Sequence, residues 1–170
     1  MNKSDILSPV FRAFIFIMLL QVSTFIAAEE YNDSAALKDL KVAKSVFLID
    51  FTNPRKTDFY LKIIKGSYNS LLKQNVKPEF VLVFIGKTVT FLSTKPSDEI
   101  ELEYAKELSS IAKTAKELEE LGVRMEVCAV ATEVFGVDNA SILPSMEVVG
   151  DGFISLIGWQ NQGYKLVPIF

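Results

Sequence analysis

Apolar and polar positions fall in blocks along this chain, and most blocks resolve into a strand or a helix. Ser45 to Phe51 (SVFLIDF) and Phe80 to Gly86 (FVLVFIG) are nearly continuous apolar runs between polar residues. That is the pattern of strands buried on both faces. Between them, Asn53-Pro54 offers an N-cap followed by a residue tolerated in a first helical turn. Phe59, Ile63, Tyr68, Leu71 and Leu72 then recur at helical spacing, predicting a helix to about Gln74, and Lys77-Pro78 ends the unit. Thr88 to Thr94 (TVTFLST) is apolar and β-branched, and reads as a further strand or as the approach to the next helix.

The clearest helix is predicted from Ser97 to Leu121. Leu108, Ile111, Ala115 and Leu118 form one stripe, and lysines and glutamates fill the other faces. Ser97, Asp98 and Glu99 suit the positive end of a helix, and Gly122 suits a C-cap. A strand follows at Val123 to Val130, then a short helical piece around Ala131 to Phe135 and a loop, GVDNASILP. A small strand at Glu147 to Val149, a short helix over Gly152 to Tyr164 and a last strand, KLVPIF, complete the pattern. Strands that alternate with helices and are apolar throughout predict an α/β fold. The expected architecture is three layers, α/β/α, around a mainly parallel sheet of about five strands.

The first residues belong to a different pattern. A polar start carrying Lys3 and Arg12 precedes an apolar run from Ala13 to Ile26, then the small pair Ala27-Ala28, then Glu29-Glu30. Basic, apolar, small and polar, in that order, is how a secretory signal peptide reads. The run is shorter than the ~20 residues a membrane span needs. The rival reading is an uncleaved anchor, with the bulky Ile26 three positions before the cut; through it alone would the protein touch a membrane. Residues 1–28 are therefore expected to be a signal peptide and residues 29–44 a flexible lead-in. Residues 45–170 then form one domain, exported to the periplasm.

Composition narrows the chemistry. The chain has no histidine and one cysteine, Cys128, and its formal net charge is −3. Without histidine there is no Ser-His-Asp or Cys-His arrangement and no His-based metal site. One cysteine allows neither an internal disulfide nor a Cys-x-x-Cys pair. The mild acidity, with no basic tract, argues against nucleic acid as a partner.

Several short motifs invite a function. Gly86-Lys87-Thr88 resembles part of a phosphate loop, but the glycine required five positions before the Gly-Lys pair is Val81, so no nucleotide site is expected. Asp50, at the end of the first strand, and Asp138, after Gly136, stand where a parallel sheet opens its ligand crevice, although capping or turn formation is the more ordinary role for both. Trp159 to Tyr164 (WQNQGY) reads as a helix end capped by Gly163, or as an interface aromatic. Cys128 comes late in its strand. Backbone amides at the helix start that follows would favour a thiolate. Unpaired cysteines are also commonly inert core residues. Both readings of Cys128 stand at this point.

The segment VRMEVCAVATEVFGVD resembles the part of DsrE/DsrF-like sulfur-relay proteins that carries their acceptor cysteine. There a strand ends near the cysteine, a short helical turn follows, and an Arg-Gly-Val or Lys-Gly-Val closes it. Here the closing triplet is Phe135-Gly136-Val137, without the basic residue. Leu121-Gly122-Val123, Leu143-Pro144, Val148-Val149 and Gly152-Phe153 fit the same pattern. Gln160-x-Gln162-Gly163-Tyr164 resembles a branch whose members are often exported. The likeness spans Ser45 to Pro168. It implies an α/β fold that assembles into homo-trimers, homo-hexamers or mixed hexamers, and a single cysteine that accepts sulfane sulfur as a persulfide and passes it to a partner protein. Cys128 is the one active residue carried over. Such a relay needs no cofactor, metal or nucleotide. The alternative within the same fold is a non-catalytic oligomeric binding or assembly module in which Cys128 is buried and inert.

The N-terminal expectation has a direct check. Protein purified from its native host should begin at or near Glu29 by intact mass, whereas a mass that retains Ala13 to Ile26 would identify an anchor.

Overall fold

The computed structural model describes residues 32–169; the expected signal peptide, residues 1–28, lies outside the described residues. Five strands form one sheet: β1 (Val42–Ile49), β2 (Lys77–Phe84), β3 (Arg124–Cys128), β4 (Glu147–Val149) and β5 (Lys165–Pro168). Their order across the sheet is β4-β3-β2-β1-β5, and every neighbouring pair is parallel. The helices are α1 (Pro54–Lys73), α2 (Asp98–Glu120), α3 (Ala129–Val134) and α4 (Gly152–Asn161). The α/β class and the parallel five-stranded sheet are those expected from the apolar runs.

The runs are continuous because alternate residues enter two separate cores. Phe47 and Ile49 of β1 and Phe80, Leu82 and Phe84 of β2 join the larger core, which α1 and α2 supply with Leu61, Ile64, Ile111, Ala115 and Leu118. Val46, Val81 and Val83 point the other way and meet Leu156 of α4. Burial of a large aliphatic or aromatic side chain contributes about 1.5–3 kcal/mol over leaving it exposed. Both faces of the central strands therefore stabilise the sheet.

Local chemistry explains most boundaries. The Asn53 side chain accepts the Arg55 N–H at 2.8 Å and starts α1 with Pro54 at its first position. Ser97 caps α2, with Asp98, Glu99 and Glu101 in the first turn. The α2 helix is kinked at Tyr104, which leaves helical geometry at φ −130°, ψ 19°.

Four expectations needed revision. The α1 helix buries Thr57, Leu61 and Ile64 and leaves Phe59 and Ile63 exposed, so the apolar stripe read from spacing was rotated from the true one. Lys77-Pro78 opens β2 rather than ending the preceding unit. Pro78 is tolerated because β3 pairs with β2 only from Val81 onward, so at Pro78 the strand has β1 alone as a neighbour. β1 starts at Val42, inside the stretch expected as a lead-in, because Val42 to Lys44 pair with Lys77 to Glu79. Thr88 to Thr94 is neither strand nor helix approach: a 3-10 helix covers Gly86–Phe91, and Ser93 bridges to Ile142. Among the described residues no helix is long and apolar enough to cross a membrane.

Candidate functional site

Cys128 is the last residue of β3 and the N-cap of α3, so it stands at the carboxyl edge of the sheet as its position in the sequence implied. It is only 5% exposed, packed with the larger core. The open crevice access expected from a strand end is therefore closed here. Its Sγ accepts one backbone hydrogen bond, from the Gly152 N–H at 3.2 Å. That amide belongs to the first turn of α4, not to the helix start directly after Cys128, which sequence reasoning favoured. The approach is close enough to need glycine: a Cβ at Gly152 would lie 2.6 Å from Ile85 Cγ2 and 3.1 Å from Cys128 Cβ. Asp151 starts α4 by accepting the Phe153 N–H at 2.8 Å.

One residue beside Cys128 was missed. Glu126, also on β3, is 3% exposed, a carboxylate in the interior. Its Oε1 accepts from Arg124 Nε at 2.5 Å. Its Oε2 accepts the Trp159 indole N–H at 3.1 Å and the Ser155 hydroxyl, both from α4. Arg124 reaches further, to Glu147 Oε2 on β4 at 2.6 Å. The hydrogen bond Arg124 donates to Glu126 is the main cause that holds the guanidinium protonated beyond its ordinary range. A buried carboxylate survives only when its lone pairs are met, and here both oxygens are. The signal in the sequence was a glutamate in the middle of an apolar strand, RMEVC, where a solvated charge has no place. Trp159, read as a helix end or an interface aromatic, faces the sheet as a partner of Glu126, with its ring 4.9 Å from that of Tyr164. A groove of about 450 Å³ runs beside α4 over Glu126, Ser155 and Trp159.

The remaining sequence candidates lie elsewhere at the same end of the sheet. A cleft of about 650 Å³ is lined by Thr52, Lys87, Lys95, Tyr104, Phe135 and Asp138, among others, and Cys128 does not line it. The Tyr104 hydroxyl is pushed above its usual range, chiefly by its hydrogen bond with Glu103. Asp138 accepts the Ala140 N–H at 2.9 Å, which is turn formation. Asp50 is exposed and lies against Gly86, whose φ of +57° no ordinary side chain favours. Thr88 is fully buried; its hydroxyl accepts the Phe51 N–H at 2.5 Å and donates to the Phe51 carbonyl at 3.0 Å. Val81 sits inside β2, so the backbone before Lys87 is sheet and not a phosphate-wrapping loop. Among the described residues no cluster of acidic and cysteine side chains has the arrangement to hold a metal.

A family model described as the DsrE/DsrF-like family matches residues 24–169. No match is found among curated proteins. Among solved structures, a protein of unknown function, MTH1491 from Methanobacterium thermoautotrophicum, is 20% identical, with an alignment that covers 77% of this chain and 100% of that one at a TM-score of 0.57. The ychN protein from E. coli is 14% identical over 76% of this chain and 99% of its own, with a TM-score of 0.53. A conserved protein of unknown function, BT1422 from Bacteroides thetaiotaomicron, is 18% identical over 82% of this chain and 100% of its own, with a TM-score of 0.52. At these identities the likeness is one of fold.

The roles of Thr88 and Lys87 separate in a stability measurement. Thr88→Val removes both partners of the Phe51 backbone and should cost about 1–3 kcal/mol in urea unfolding. Lys87→Ala should stay within about 0.5 kcal/mol. Calorimetric titration with ATP or GTP and magnesium should give no specific heat; tight, Lys87-dependent binding would overturn the reading of Gly86-Lys87-Thr88 as a structural turn.

Proposed function

Since the chain belongs to the DsrE/DsrF-like family, we propose that it accepts sulfane sulfur as a persulfide on Cys128 and relays it to a partner protein. The observation that carries this reading is the Gly152 N–H aimed at Sγ at the carboxyl edge of the sheet. A donor amide at the first turn of a helix stabilises negative charge on sulfur by about 0.3–1 kcal/mol, and up to about 2 kcal/mol where water is partly excluded. The family's basic residue is Phe135 here, so the single Gly152 amide stands in place of an ion pair and the acceptor is a slow one. In the transfer, the Cys128 thiolate attacks the outer sulfur of a donor persulfide. The donor S–S bond breaks, the donor leaves as a thiolate, and a new S–S bond forms on Cys128. The oxidation state is conserved, so no external oxidant, metal or histidine is required.

A second reading rests on a different observation, the burial of Cys128. In it the protein is an assembly module of the same fold and the thiol is core filler. Self-association belongs to both readings. Phe153, Ile154 and Ile157 on the outer side of α4 are exposed, Ile154 at 69%, and Val130 and Val134 of α3 and the following Phe135 are exposed as well. Apolar residues left open on two helices suit a second copy of the chain, as a trimer or hexamer. Export completes the proposal, supported by the order of the N-terminal segments.

Two measurements test these statements. Exposed to polysulfide or to a sulfur-loaded sulfurtransferase, the folded protein should gain the mass of one sulfur atom, and Cys128→Ser should abolish the gain while keeping the fold. If Cys128 stays unmodified and alkylates only after unfolding, the assembly module is the correct reading. Sedimentation at micromolar concentration should give a trimer or hexamer, and Ile154→Glu should lower that mass; a monomer at every concentration would remove self-association from both.

A further inference from the structure

The α4 helix is apolar almost all round, GFISLIGWQN, with Leu156 its one buried large side chain. Apolar contact is non-directional, so Leu156 against Val46, Val81 and Val83 holds the helix to the sheet without choosing its rotation or height. Directional bonds must choose them, and they come from β3. Along that strand Arg124, Glu126 and Cys128 alternate with Met125 and Val127, which are buried in the larger core. Cys128 meets Gly152 at the start of α4. Glu126 meets Ser155 one turn on and Trp159 a further turn on. Arg124 lies 5.7 Å from the Trp159 ring. From Arg124 to Cys128 a strand rises about 13 Å, and from Gly152 to Trp159 a helix rises about 10 Å, so the two elements run antiparallel in matched register.

We infer that Glu126 is a positioning residue: its carboxylate fixes the rotation and height of α4 on β3 and thereby sets the Gly152 N–H against Cys128 Sγ. Ser155 and Trp159 are separated along the helix and converge on one oxygen of a buried carboxylate, while Arg124 holds the other oxygen. A helix turned by one residue would carry both donors off that oxygen and leave it buried and unmet. The same turn would lift Gly152 from the thiol. This deepens the proposed function and rests on it, since a set amide matters to an acceptor thiol and not to core filler.

The test uses variants that keep the charges near the thiol, namely Glu126 on β3 and Asp151 at the α4 N-cap. Cys128 is the only cysteine, so cysteine labelled with ¹³C at Cβ gives one resonance whose pH titration reads the thiol even where reagents cannot reach it. In Trp159→Phe with Ser155→Ala, Glu126 loses both α4 donors but keeps its Arg124 partner. The titration midpoint should move up by about half a pH unit, because the thiolate loses its amide. Ile64→Val, a core trimming on the α1 side of the sheet, should lower Tm and leave the midpoint where it was. An unmoved midpoint in the folded double variant, or one that also moves in Ile64→Val, overturns the inference. A shifted midpoint in a protein that takes up no sulfur would sustain the positioning role and sink the sulfur-relay reading instead.

Discussion

A parallel sheet has to be covered on both faces, and in this molecule the two coverings are unequal. The α1 and α2 helices close one face with a large core, whereas Val46, Val81 and Val83 on the other face are met chiefly by the short helix α4. Everything distinctive near Cys128 follows from that imbalance. A small apolar contact area cannot orient a helix, so its orientation falls to the buried carboxylate of Glu126 and its partners. A thin second layer also leaves Phe153, Ile154 and Ile157 of α4 in water, and β5 is exposed along its whole length. The start of α4 touches the thiol, so whatever docks on that helix bears on access to Cys128.

Features set by neighbouring residues were readable before the structure. The run FVLVFIG, the Asn53-Pro54 start and the Ser97 to Gly122 helix each carry their own caps or periodicity, and each appears within a few residues of where the pattern put it. Features set across the fold were not. Nothing local says that Phe59 and Ile63 face water, because both neighbouring turns of α1 offer apolar residues and α2 decides which are buried. Pro78 reads as a terminator until the stagger of β3 shows that its strand lacks a neighbour there. Val81 rules out a phosphate loop from the sequence alone, but that Thr88 instead bonds both backbone groups of Phe51 shows only in the fold. The site divides in the same way. Cys128 could be placed at a strand end, but its amide donor is Gly152, brought to it by the fold rather than by the chain beside it. Glu126 was lost because glutamates were taken as solvated, which holds for helix faces and fails inside a parallel strand.

Burial and reactivity pull against each other at Cys128, and their balance is physical rather than semantic. A dry site strengthens the single Gly152 hydrogen bond and would keep water and stray oxidants from a bound persulfide. It also blocks the donor. Against Sγ lies the first turn of α4, a helix whose apolar anchor is only the small cluster around Leu156. Segments with few buried contacts open at a lower free-energy cost than the sheet beneath them. A relay that works by contact with a partner would need a cover of this kind, firm enough to hold the amide on sulfur and shallow enough to lift. In a sulfur acceptor, the polar bonds on Glu126 would serve both needs, returning the helix to one register each time it closes.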